Sequence, residues 1–339
     1  MRDMQDMQEM QDMQRSDVYL TARKRQGMLG VSLCLFLIVW ISVAYALGML
    51  CSRVIPKGLI SNSLETIIVS DVAQYLVALP VALLIMRKIP KVTTYKFSMS
   101  FTQFCGFFAV SIPIMYIGNF AGIAFAELLS GGKAENHVSD TIASGDILET
   151  FVFVVVLAPI VEEWLFRKQI LDRLRVYGEK RAIVFSALAF ALFHMNVFQF
   201  FYAFGLGLVF GYMYVRTSKL QYNIFLHMIV NLQGSVIAMW LQKQLVDKNG
   251  NMIDINQMKE SELSQLPPGL ILAGMYSMFM IAMLVIGVIL LIRRRKYLVF
   301  FDAPLEMPKK IGRKSLYGTV GVISFLTVSI IFNLLMLFS

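Results

Sequence analysis

Apolar residues run along this chain in long blocks parted by short polar stretches, and several blocks approach or exceed the about 18 residues that a membrane-spanning helix needs. They predict helices over 28–50, 64–86, 102–129, 147–177, 181–197, 198–216, 220–243, 269–292 and 315–338, with Pro113 as a kink site in the third. Before them lies a polar, Met-rich arm, residues 1–27, built on Asp3-Met4-Gln5, Asp6-Met7-Gln8 and Asp12-Met13-Gln14, whose Met spacing makes a narrow apolar stripe on a helix. Residues 244–268, with Asp247, Asn249-Gly250, Asp254 and Pro267-Pro268, read as an external polar loop. The pattern implies an all-α polytopic membrane protein of about nine transmembrane helices.

Composition supports this class. A hydrophobic content of 57% and a mean hydropathy of +0.66 exceed what a soluble domain of 339 residues can use. The net charge of +9 does not point to nucleic acid, because Lys and Arg fall mainly in the segments between apolar blocks. With the amino terminus inside, 25 of the 31 lie on cytoplasmic segments, which predicts an N-in, C-out chain in the cell membrane with the lipid bilayer as its partner. Arg23, Lys24 and Arg25 precede the first helix, and the long acidic leader favours an uncleaved anchor over a signal peptide. Cys34, Cys51 and Cys105 have no metal-ligand spacing and read as apolar fillers.

One polar feature does not fit an inert span. Glu162 and Glu163 sit side by side in an apolar run that starts at Ile147 and is interrupted before them only by Glu149. An ionised side chain in hydrocarbon costs at least about 2.5–3.5 kcal/mol, so such acids usually face a protein interior and find partners. Glu163 and Arg167 are i and i+4 and can pair on one face, while Glu162 is turned by about 100° onto the next. A membrane-interface ion pair is the plain alternative.

Two of the three histidines, His194 and His227, lie in the following apolar helices, where a buried imidazole is often structural. Glu162 and His194 are each sixteen residues from Gly178, in the polar turn Tyr177 to Lys180. In an antiparallel hairpin that places both about 24 Å from the turn, so the acid and the imidazole can be neighbours and act as a general-base pair on water. His227 and Asn231 share a face at i and i+4, an arrangement suited to an oxyanion or, more plainly, to an interhelical hydrogen bond. Phe190 lies one turn before His194 and can pack over the site, and His137 reads as a solvated loop residue. Straight helices would not bring His194 and His227 level; a tilted or shortened helix is needed.

Taken in order, Glu162-Glu163-x-x-x-Arg167, Phe190-x-x-x-His194 and His227-x-x-x-Asn231 resemble the CPBP (CAAX protease and bacteriocin-processing, Abi) intramembrane proteases, and are similar to the type II CAAX prenyl endopeptidases among them. The resemblance covers about 145–240 and divides the chain into the arm 1–27, amino-terminal helices 28–143, a protease core 144–243 and a carboxyl-terminal part 244–339. It implies that Glu162 and His194 activate the hydrolytic water, that His227 and Asn231 stabilise the oxyanion, and that Glu163 and Arg167 support the site. Family members are often labelled metalloproteases, and zinc on Glu162, His194 and His227 is chemically sensible. The lack of an HExxH pair and the poor ligand quality of Asn favour a metal-free glutamate mechanism without a cofactor.

The expected function is therefore an intramembrane endopeptidase acting on a membrane-associated peptide or protein, of CAAX type or in leader or propeptide processing, with its site opening toward the cytoplasm. The alternative is a non-catalytic scaffold or bacteriocin self-immunity protein bound to a sensor kinase or a bacteriocin system. A proton-relay transporter would call for broken helices or repeat symmetry, and the sequence has neither.

Overall fold

The computed structural model describes residues 2–56, 58–246 and 266–338, with side chains from Ser16 onward, and turns every apolar block into helix. In chain order these are α1 (Arg2–Val54), α2 (Asn62–Met86), α3 (Phe101–Ser130), α4 (His137–Ser144), α5 (residues 147–177), α6 (Glu179–Phe193), α7 (Val197–Thr217), α8 (Leu220–Gln244), α9 (Pro268–Tyr297), α10 (Lys309–Tyr317) and α11 (Val320–Leu337). The arm backbone is continuous with α1 in one 53-residue helix. Most of the polar loop after α8 lies outside the described residues.

Among the described residues, seven helices are long and apolar enough to cross a membrane: α1, α2, α3, α7, α8, α9 and α11. The other two blocks are helical but differ for physical reasons. At 15 residues α6 reaches only about 22 Å, short of a hydrocarbon core of about 30 Å. In α5, Glu149, Glu162, Glu163, Arg167 and Lys168 dilute the hydropathy, and its second half is enclosed by the other helices. The chain is a multi-pass membrane protein in which charged residues of α5, Glu163, Arg167, Asp172 and Arg173, are among the most buried.

Local chemistry sets the helix ends. Ser100 and Gln103 form a capping box at the start of α3, and Ser61, Asn196 and Thr319 accept from the first-turn N–H groups of α2, α7 and α11. Gly178, at φ 135°, turns α5 into α6 with a backbone that a side chain would strain. The α6 to α7 connection is three residues, His194 to Asn196, with Met195 left-handed at φ 46°.

Hydrogen bonds between connections define the two ends of the bundle. At one end Val92 N–H donates to Asp172 O, Phe97 N–H to Thr217 O, Leu305 N–H to Val176 O and Arg25 to the Tyr177 hydroxyl. This end carries the basic loops. At the other, Ser63 donates to Thr141 O and Asn196 to Asn136 Oδ1. Between them α7 packs on α3 and α6, α1 on α11 and α2, and α9 on α3. At the α3–α7 crossing a Cβ on Gly118 would come within 2.5 Å of Tyr202 Cα, and one on Gly122 would meet the Phe198 carbonyl. Small residues four apart allow backbones this close.

Candidate active site

The site is built around a carboxylate that has no freedom. Glu163 is fully buried, and its two oxygens accept from Arg167 Nε at 2.8 Å and Nη2 at 3.3 Å, from Asn223 Nδ2 at 3.2 Å and from His227 Nδ1 at 3.1 Å. Arg167 is anchored in turn. Its Nη1 donates to Ser186 Oγ at 2.9 Å, Ser186 donates to the Phe166 carbonyl at 2.8 Å, and the guanidinium lies over the rings of Phe190 and Phe210. A buried ion pair persists only with such additional hydrogen bonds. Here they tie α5, α6 and α8 together at one depth.

Locking Glu163 aims its neighbour into open space. The Glu162 side chain is 20% exposed, accepts no hydrogen bond among the described residues, and lies 3.8 Å from His227 Nε2. His194 caps α6, where its Nδ1 sits 2.8 Å from the Phe190 carbonyl. A carbonyl can only accept, so Nδ1 carries the proton and Nε2 of the neutral ring has a lone pair. The same reasoning applies to His227, whose Nδ1 donates to the ion-paired Glu163; its Nε2 holds a proton only as imidazolium. Phe190 stands edge-on to both imidazoles, with ring centroids at 4.9 and 5.6 Å. Asn231 donates from Nδ2 to the Val154 carbonyl at 2.9 Å, leaving its second amide proton free.

Glu162, His194, His227, Asn231 and Phe190 all line one cavity of about 790 Å³. The expected difficulty of bringing the histidines level is resolved by the shortness of α6, which ends at Phe193 rather than at residue 197. The cavity runs from mid-bundle toward the end formed by α4 and the start of α7, and none of its lining residues comes from the basic loops. It therefore does not open toward the side that charge bias marks as cytoplasmic. Residues of α4 line it at the opposite end, a placement that hydropathy does not register.

The metal alternative fits poorly. At ligand distances of about 2.0–2.1 Å, tetrahedral donors to zinc lie about 3.4 Å apart. Among the described residues, the one group of three His, Cys, Asp or Glu residues with ligand atoms within 4.8 Å of one another is Glu135, His137 and Asp140, all exposed, and Glu162, His194 and His227 do not gather so closely. His137 is solvated, as expected, but it also borders the cavity.

Several cavity and support residues escaped the sequence reading. Asn223 lies four residues before His227, so the stripe on α8 is Asn223, His227, Asn231, and its first member was legible by spacing alone. Ser186 carried no signal. Asp71 and Tyr75 on α2 and Tyr202 on α7 also line the cavity. Asp71 did carry one, being an acid inside an apolar helix as Glu162 is.

Residues 145–233 match the family model described as type II CAAX prenyl endopeptidase Rce1-like. Over 135 residues the chain is 31% identical to the membrane-embedded CAAX protease MroQ of Staphylococcus aureus (strain USA300), covering 37% of this chain and 53% of that protein. Over 172 residues it is 26% identical to the putative membrane peptidase YdiL of Bacillus subtilis (strain 168), covering 48% of this chain and 68% of that protein. The chain thus spans about half the length of the first relative. No solved structure matches it. Residues 145–233 contain Glu162-Glu163-x-x-x-Arg167, Phe190-x-x-x-His194 and His227-x-x-x-Asn231.

Proposed function

With residues 145–233 as a Rce1-like core, we propose that this chain is an intramembrane endopeptidase that hydrolyses a peptide bond of a membrane-associated peptide or protein using water activated by Glu162 and His194. The observation that carries the reading is the division of labour between adjacent acids: Glu163 is saturated by three side chains, while Glu162 faces a cavity beside two imidazoles. Water between Glu162 and His194 Nε2 would give up its proton as its oxygen attacks the scissile carbonyl. The free amide proton of Asn231 supplies a donor to the oxyanion, and His227 adds a second only as imidazolium. Glu163 and Arg167 act as positioning residues. No step requires a metal.

The cavity volume lies within the range of ligand sites, about 300–1,000 Å³, and suits an extended peptide segment rather than a folded domain. Its direction implies a substrate that approaches from the face opposite the basic loops, as a peptide in export or at the outer surface would. The test is a comparison of membrane and secreted peptides from cells carrying the wild type or Glu162→Gln. A precursor that accumulates only in the variant, and that the purified wild type cleaves after chelator treatment, is the expected result. Full function of Glu162→Gln would favour the scaffold reading, and activity lost to chelation and restored by zinc would overturn the metal-free mechanism.

A further inference from the structure

We propose that Asp71 is the general acid of this site, the carboxyl that protonates the departing amine as the peptide bond breaks, an inference that rests on the protease reading above. Asp71 lies inside α2, outside the matched segment 145–233, and lines the same cavity as Glu162, His194 and His227. Tyr75, one turn later, does too. Among the described residues Asp71 makes no hydrogen bond or ion pair, and its Oδ2 is buried without a partner. A buried carboxylate with no cation is costly, while a neutral carboxyl costs far less. Such an acid in a membrane helix calls for a function.

The backbone beside it is also unusual. Directly after Asp71, α2 widens into a π-helical stretch, Val72–Ala78, just ahead of Pro80. Proline lacks an N–H and its ring clashes with the carbonyl four residues before, and π-helical turns within α-helices are frequent at functional sites.

Elimination leads to the same residue. Amide hydrolysis needs a proton on the leaving nitrogen, and apart from Glu162, which is occupied with the proton of the attacking water, the groups in and around the cavity are poorly placed to give one. Glu163 is saturated, the neutral forms of His194 and His227 present lone pairs at Nε2, and a tyrosine hydroxyl is a weak acid. In the proposed step the water oxygen bonds to the carbonyl carbon and its proton passes to Glu162. The C–N bond then breaks as Asp71 gives its proton to nitrogen. The proton held by Glu162 returns to Asp71 through cavity water, leaving a carboxylic acid and an amine.

Leaving-group chemistry tests this. Purified full-length protein in phosphatidylglycerol liposomes is screened with a quenched-fluorescent library of apolar peptides, and the best substrate is remade with a phenolic ester at the scissile position, whose leaving group needs no proton. Asp71→Asn should lower amide turnover by about 10²-fold or more, the scale of general acid catalysis, yet cleave the ester within a few-fold of wild type. Glu162→Gln should lose both. If Asp71→Asn fails to insert, Asp71→Ser is read in the same way. Wild-type amide turnover in a folded Asp71 variant, or equal loss of amide and ester cleavage, overturns the proposal. A wild type no faster than Glu162→Gln on either substrate overturns the protease reading itself.

Discussion

Glu162 and Glu163 differ by one position and by almost everything else. Glu163 has three side-chain partners and no exposure, so removing its charge or its cation leaves an uncompensated group in the interior, typically worth 3–5 kcal/mol, about the scale seen when buried pairs are broken. Glu163→Gln and Arg167→Ala are therefore expected to lower the unfolding temperature in detergent sharply. Among the described residues Glu162 accepts no hydrogen bond, and it faces the cavity, so Glu162→Gln should leave that temperature almost unchanged. A thermal scan of the three variants checks this; equal destabilisation would contradict the assignment. At this scale the sequence was informative where spacing dictates contact. Glu163 and Arg167 meet because i and i+4 share a face, and Asn223 could have been added by the same rule. Ser186 could not, because its contact with Arg167 depends on how α6 packs on α5, which no local pattern encodes.

Helix length and close approach govern the next scale. The block at 181–197 promised a full helix, but α6 stops at Phe193 because Met195 is left-handed and Asn196 caps α7, and this stop sets His194 at the depth of His227. Hydropathy could not reveal it, since the apolar run continues through the break. Gly118 and Gly122 fix the opposite wall by letting α3 approach α7 where Tyr202 enters the cavity. Gly122→Leu would drive a side chain into the Phe198 carbonyl. Overpacking of this kind costs about 1–3 kcal/mol or more, and the expected outcome is a lower unfolding temperature together with loss of turnover. Wild-type behaviour in both would show that the helices do not cross this closely.

Across the molecule the basic loops collect at one end and the cavity opens at the other. Charge bias reads the first of these from the sequence alone, because Lys and Arg counts need no tertiary structure. The second depends on α4 and on the spacing between α2, α5 and α8, which charge counts do not encode. In a background lacking Cys34, Cys51 and Cys105, Ser139→Cys on the cavity side should react with a membrane-impermeant maleimide added outside intact cells, and Ser98→Cys at the basic end should not. The reverse pattern would put the cavity on the cytoplasmic side. Asp71 belongs to this scale as well, because it becomes a site residue only when α2 is set against α5.

In the proposed mechanism Glu162 is the group that activates water. The most direct measurement is cleavage of a quenched peptide by purified wild type and Glu162→Gln in liposomes, with unfolding temperatures recorded on the same samples. It predicts turnover reduced by about 10²-fold or more, on the scale of a lost general base, with the unfolding temperature preserved. A folded Glu162→Gln protein that cleaves at the wild-type rate would contradict it.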